Sequence, residues 1–224
     1  MQKAQLIQNI ILLQSYYKFL YLGKYLEQEA KLKDFSKNVE DSKIATGDKS
    51  YFVIKGKMVK PLLENIYKNP DKKNLFGYLV EISAFRGLFS TFKELLDNEP
   101  VFERFLKQKL AKQYVVFEQI IKFLRNILSH STTSHVNLKT DDFEKQKDYL
   151  KKYVDTLLDF KFVYADFFPE WKGSKDYGMR LYVDFKKLKD GQSLFDVISL
   201  HQLYMLSELC YNISEVFRMK YKLK

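Results

Sequence analysis

From residue 75 to residue 130 the chain carries apolar side chains at helical spacing almost without interruption, and no other feature limits its fold so strongly. Phe76, Leu79, Val80, Ile82, Phe85, Leu88, Phe89, Phe92 and Leu95 cover nearly every side of a helix over 75–97. That pattern belongs to an element surrounded by others. Pro100 suits the first turn of a second helix. In it Phe102, Phe105, Leu106, Leu110, Tyr114, Phe117, Ile121, Leu124 and Leu128 recur at three- and four-residue intervals, ending near His130. Eight glycines and four prolines in 224 residues are too few for a strand-and-turn architecture. With 46% hydrophobic and 16% aromatic residues, the chain is rich enough to form one packed domain over 1–224.

The flanking segments are shorter and more varied. Leu6, Ile10, Leu13, Tyr17 and Leu20 predict a helix within 3–30. Residues 31–50 read as a polar loop with a turn at Gly47-Asp48. Tyr51-Phe52-Val53-Ile54 and Met58-Val59 around Lys55-Gly56-Lys57 predict a small hairpin, then a short helix from Pro61 to Lys68, closed off by Asn69-Pro70-Asp71. Asp141 with Glu144 predicts a capping box for a helix to about Leu158. A turn over Gly173–Gly178 precedes a short strand from Met179 to Phe185, and Asp190-Gly191 marks another turn before a last helix from Ser193. The expected class is therefore all-α, with strand additions near 51–59 and 179–185.

Charge and cysteine usage narrow the setting. A net charge of +10 and a pI near 9.3 favour polyanionic partners, RNA or DNA ahead of anionic membrane. The lone cysteine, Cys210, has no intrachain partner; beside Leu206, Leu209, Ile213 and Phe217 it reads as a small core residue. Gln8, Asn9, Gln14, Lys18 and Lys24 interrupt the N-terminal apolar run, so neither a membrane span nor a signal peptide is expected, and the chain reads as cytoplasmic. No phosphate-cradling glycine loop occurs.

The stretch Phe123-Leu124-Arg125-Asn126-Ile127-Leu128-Ser129-His130 carries the chemistry, and Ser131-Thr132-Thr133-Ser134 ends the helix after it. Basic residues are lysine at 33 of 38 positions, yet this one is arginine, whose planar fork suits phosphate. Imidazole exchanges a proton near neutral pH. RNA carries its own nucleophile, the 2′-hydroxyl. Cleavage then needs that hydroxyl deprotonated, the leaving 5′-oxygen protonated and the charge at phosphorus stabilised. His130 suits the proton transfers and Arg125 the phosphate, while Asn126 or Ser129 would orient the histidine or bind ribose. The products would be a 2′,3′-cyclic phosphate and a 5′-hydroxyl, with no metal or cofactor. The competing structural reading pairs Arg125 with a surface carboxylate and sets His130 against the negative helix end.

This block resembles the motif of the HEPN superfamily, in which an arginine, often followed by a polar residue such as asparagine, precedes a histidine by four to six residues. The resemblance covers the motif helix and, loosely, the all-helical organisation; 31–70 and 165–192 would be additions to a minimal HEPN-like helical bundle. It implies a metal-independent endoribonuclease of prokaryotic toxin–antitoxin or antiviral defence, with a cognate antitoxin or defence-system protein as a further partner. It also implies a homodimer, because family ribonucleases usually build one composite site from two motif helices. The alternative is a non-catalytic HEPN-like module that binds RNA or protein. Geometry bears on the choice. Five positions on a straight helix turn through about 140°, so Arg125 and His130 share a site only if His130 folds back beyond the helix or two copies meet.

Other candidates have milder readings. Glu81, inside the apolar helix, needs a buried partner and would orient Arg125, or be held by Arg86 or a core lysine. His135 reads as a loop histidine, His201 as a core or interface one, and three scattered histidines with one cysteine do not make a zinc site.

Overall fold

The structure, a computed structural model, describes residues 3–25, 28, 40–45, 51–130, 135–168, 170 and 172–223. Helices dominate. In chain order the elements are α1 (Lys3–Lys24), β1 (Ser42–Ala45), β2 (Tyr51–Ile54), α2 (Gly56–Tyr67), α3 (Pro70–Asn98), α4 (Pro100–Leu110), α5 (Tyr114–His130) and α6 (Thr140–Tyr153). There follow β3 (Leu157–Val163), α7 (Tyr164–Phe167), β4 (Gly178–Asp184), α8 (Leu194–Val197) and α9 (Leu200–Lys220). The chain divides into two compact units, Met1–Lys18 with Ile82–Lys224, and Phe19–Glu81.

The larger unit is built on aromatic packing. Phe92 of α3 meets Phe102 of α4 and Phe117 of α5 at 5.4 and 5.6 Å, and Phe217 of α9 meets Phe102 and Phe105 at 5.0 and 5.3 Å. Edge-to-face geometry at these separations suits the ring quadrupoles. From α1, Tyr17 stacks on Tyr211 at 4.6 Å and Gln14 donates to the Ser214 hydroxyl at 3.3 Å. Ile82, Ala84, Phe85, Leu88, Phe89, Phe92 and Leu95 of α3 are all buried.

The long helical run is interrupted once more than its spacing predicts. Periodicity calls for one helix over 101–130; instead α4 ends at Leu110, a single 3-10 turn covers Ala111–Gln113, and α5 begins at Tyr114. Ala111 takes φ +46°, a left-handed backbone that periodicity does not reveal. The helix expected to reach Leu158 stops at Tyr153, because the side-chain period changes from helical to alternating. Leu158, Phe160 and Phe162 point inward between outward Leu157 and Lys161, making β3. This strand pairs antiparallel with β4, Phe160 opposite Leu181, so the 178–185 segment lies in the core with Leu181, Val183 and Phe185 buried. The last helix also divides: Ser193 caps α8, and Ser199 with Gln202 forms a capping box for α9.

In the smaller unit, β2 pairs with β1 and not with Met58-Val59, which lie in α2. The hairpin expected over 51–59 is thus displaced toward the N-terminus. The reason is Asp41, whose carboxylate accepts from the Gly56 N–H at 2.9 Å and the Lys55 ammonium at 2.8 Å. That contact starts a helix in place of the expected turn, and the Lys55 hydrogen bond holds the Asp41 carboxyl below its usual range. Pro61 consequently sits inside α2 and not at its first position. Asn69 caps α3, its side-chain oxygen accepting from the backbone of Asp71 and Lys72. The segment 31–39, the Gly47-Asp48 turn and Ser131–Ser134 lie outside the described residues.

Candidate active site

Burial fixes which face of α5 is chemically available. Phe117, Ile120, Ile121, Phe123, Leu124, Ile127 and Leu128 are turned into the core, leaving Lys122, Arg125, Asn126 and Ser129 as a partly exposed stripe. The helix end is held by Arg86 of α3, whose Nε donates at 2.6 Å to the carbonyl of Leu128, one of the last carbonyls a helix cannot satisfy itself. His130 closes α5 as a helical residue, so it does not fold back, and its ring stays well round the helix from Arg125.

Two other residues connect them. Arg125 donates from Nη1 to the Asn126 side-chain oxygen at 3.4 Å, and Asn126 donates from Nδ2 to the backbone carbonyl of Asp142 at 3.4 Å. The Asp142 carboxylate in turn is hydrogen-bonded to His130 Nδ1. Arginine and histidine thus stand at the ends of one chain of contacts, Arg125–Asn126–Asp142–His130. The Asp142 side chain is 3% exposed and that of His130 is 58% exposed. With Nδ1 donating to the carboxylate, Nε2 is the ring nitrogen left for a reacting group.

Distant segments put Asp142 there. It lies in the first turn of α6, where a carboxylate meets the positive end of the helix. The capping box expected from Asp141 and Glu144 does not form; no side chain at Lys139 caps the helix. Asp190 does so from fifty residues away, its oxygen accepting from the Thr140 N–H and hydroxyl at 2.9 and 3.2 Å. Gly191, at φ +73°, makes the turn that brings Asp190 round and donates its N–H to the Leu138 carbonyl at 2.8 Å. Buried Gln146 donates to the carbonyl and side-chain oxygens of Gln119 at 2.8 and 3.0 Å, locking α6 onto α5.

Beside Arg125 a cleft of about 170 Å³ is lined by Ser90, Lys93, Glu94 and Asp97 of α3 and by Lys122, Arg125 and Asn126 of α5. Lys93 is drawn to carboxylates on both sides, Asp97 and Glu118. Glu81 is buried and ion-paired with Lys24 at 3.2 Å, so a lysine fills the partner role. Ser129 is half-buried on the α5 stripe and His135 is exposed. His201, expected in the core or an interface, is exposed in the first turn of α9, which removes the core reading. Burial pushes the Cys210 thiol well above its ordinary value, as befits a core residue. Among the described residues no group of three His, Cys, Asp or Glu side chains could hold a metal ion, and no helix is long and apolar enough to cross a membrane.

Asp142 stands outside the arginine–histidine motif, and the spacing of residues does not single it out. Its signal is a carboxylate in the first turn of the helix that follows a histidine-terminated one, and that signal becomes specific only once the connection is folded. No protein-family model, curated protein or solved structure matches this chain.

Proposed function

We propose that this protein is a metal-independent endoribonuclease of HEPN type, working as a homodimer in prokaryotic toxin–antitoxin or antiviral defence, with a cognate antitoxin or defence-system protein as a further partner. The observation that supports it most is the Arg125–Asn126–Asp142–His130 chain of contacts, ending in a solvent-facing imidazole at one end and a solvent-facing guanidinium at the other. Asp142 orients the His130 ring, while Arg125 carries the charge of the scissile phosphate. The 2′-hydroxyl loses its proton and attacks phosphorus, the P–O5′ bond breaks, and the leaving oxygen takes up a proton. One base and one acid are needed. Each chain offers a single imidazole in this motif, so two motifs meeting in a dimer would divide the two roles.

The test is cleavage of RNA in excess EDTA by the wild type, His130→Ala and Asp142→Asn. Cutting by the wild type, loss with His130→Ala, a large decrease with Asp142→Asn and sparing of DNA of the same sequence are expected. A strict magnesium requirement for the chemical step, or wild-type turnover by His130→Ala, overturns the reading. In the second case the His130–Asp142 contact is a helix-to-helix staple and the chain a non-catalytic module.

A further inference from the structure

The exposed stripe of α5 continues onto α6 beyond anything the His130 centre requires. Lys122, four positions before Asn126, holds its ammonium 5.5 Å from the centroid of the Tyr149 ring. Tyr149 is itself in ring contact with Tyr153, one helical turn on, with centroids 5.0 Å apart and planes at 39°. Both rings face solvent, Tyr149 at 42% and Tyr153 at 71% exposure, although the other side of α6 buries Phe143, Gln146 and Leu150. Lys145 and Lys152 are exposed on the same helix.

Charge is distributed unequally about this stripe. On the α3 side stand Glu94 and Asp97, with Lys93 already engaged by Asp97 and Glu118. On α6, Glu144 and Asp148 are paired with Lys147 at 3.2 Å and Lys151 at 3.1 Å, and Asp141 stands exposed in the first turn. A polyanion is therefore drawn along the Lys122–Tyr149 side. Paired aromatic rings with an ammonium against one of them, and a guanidinium three positions further along α5, are what stacked bases and their phosphates require.

We infer that Arg125, Lys122, Tyr149 and Tyr153 form a track for single-stranded RNA, with phosphates on the two cations and unpaired bases on the two rings, leading the strand to His130. The preference for RNA rests on the ribonuclease reading above; the preference for a single strand does not, because a duplex keeps its base faces stacked internally and offers nothing to the tyrosines.

The experiment is fluorescence anisotropy of the wild-type protein with a short single-stranded 2′-O-methyl RNA, which has no free hydroxyl to attack and is not cut. Tyr149→Leu/Tyr153→Leu is compared with Tyr149→Phe/Tyr153→Phe, with folding checked by thermal melts. The leucine pair should bind roughly tenfold or more weakly and the phenylalanine pair like wild type, because only the former loses stacking. Lys122→Ala should weaken binding and lower the salt dependence by about one phosphate contact. A duplex of the same sequence should be indifferent to the tyrosine changes. The inference is overturned if the single strand does not bind, if the leucine pair binds as tightly as wild type, or if leucine and phenylalanine are equally harmful. Failure of the wild type to cleave ordinary RNA would refute the ribonuclease reading and leave this binding measurement intact.

Discussion

His130 and Asp142 join the end of α5 to the start of α6, so their contact has a structural part and a chemical part that substitution can separate. His130→Asn keeps an N–H donor near the Nδ1 position, toward the buried Asp142 carboxylate, but cannot exchange a proton near neutral pH. It should unfold at close to the wild-type urea midpoint and fail to cut RNA. His130→Ala also removes that donor from a buried carboxylate and should cost roughly 1–3 kcal/mol of stability. Cleavage by His130→Asn would show that the imidazole carries no proton in the reaction.

Secondary-structure elements carry their own tests. Ala111 is exposed and adopts φ +46° at the junction of α4 and α5. Ala111→Gly relieves that conformation, worth about 1–3 kcal/mol, against an entropic penalty of about 0.5–1 kcal/mol. A net gain of about 1 kcal/mol in urea unfolding is expected, and a loss would mean that the junction is unstrained. On the outer face of the β3–β4 pair, Arg180 donates from Nε and Nη2 to the two oxygens of Asp159, at 2.8 and 2.6 Å. This hydrogen bonding holds the Asp159 carboxyl below its usual range. A depressed folded-state value stabilises the fold above the unfolded-state pKa of about 3.9 and is lost as pH falls through the folded-state value. Asp159→Asn should therefore destabilise at pH 7, and the difference from wild type should shrink in acid below about pH 4. A difference that does not change with pH removes the ion pair from the explanation.

The whole molecule poses the question of assembly. If one centre uses two motifs, the surface around residues 120–135 meets its own copy across a two-fold axis. Apolar residues left over from the core would be the natural contact. On α4 and α5 the exposed large apolar residues are only Val101 and Val115 among the described ones, and the α5 stripe is polar. A contact there would be wet and salt-sensitive, and not a severed core. A dimer mass at micromolar concentration, falling toward monomer at high salt, is expected from light scattering. A strictly monomeric protein that still cleaves RNA would leave the single-chain arrangement Arg125–Asn126–Asp142–His130 as the whole centre.

Helices within 3–30, over 75–97 and over 101–130 were legible in the chain because burying one side of a helix demands apolar residues every three or four positions, a constraint written locally. The same locality made Arg125, Asn126 and His130 visible together. It could not reveal the break at Ala111, a backbone choice with no side-chain signature, or β3, whose apolar alternation becomes a strand only when β4 supplies a ladder. Sequence by itself determined a predominantly helical chain with an arginine and a histidine at the end of one long helix. Tertiary structure alone decided that Asp142 meets His130. That contact depends on Asp190 capping α6 from fifty residues away and on Gln146 reaching Gln119, and neither partner can be read from the residues beside it.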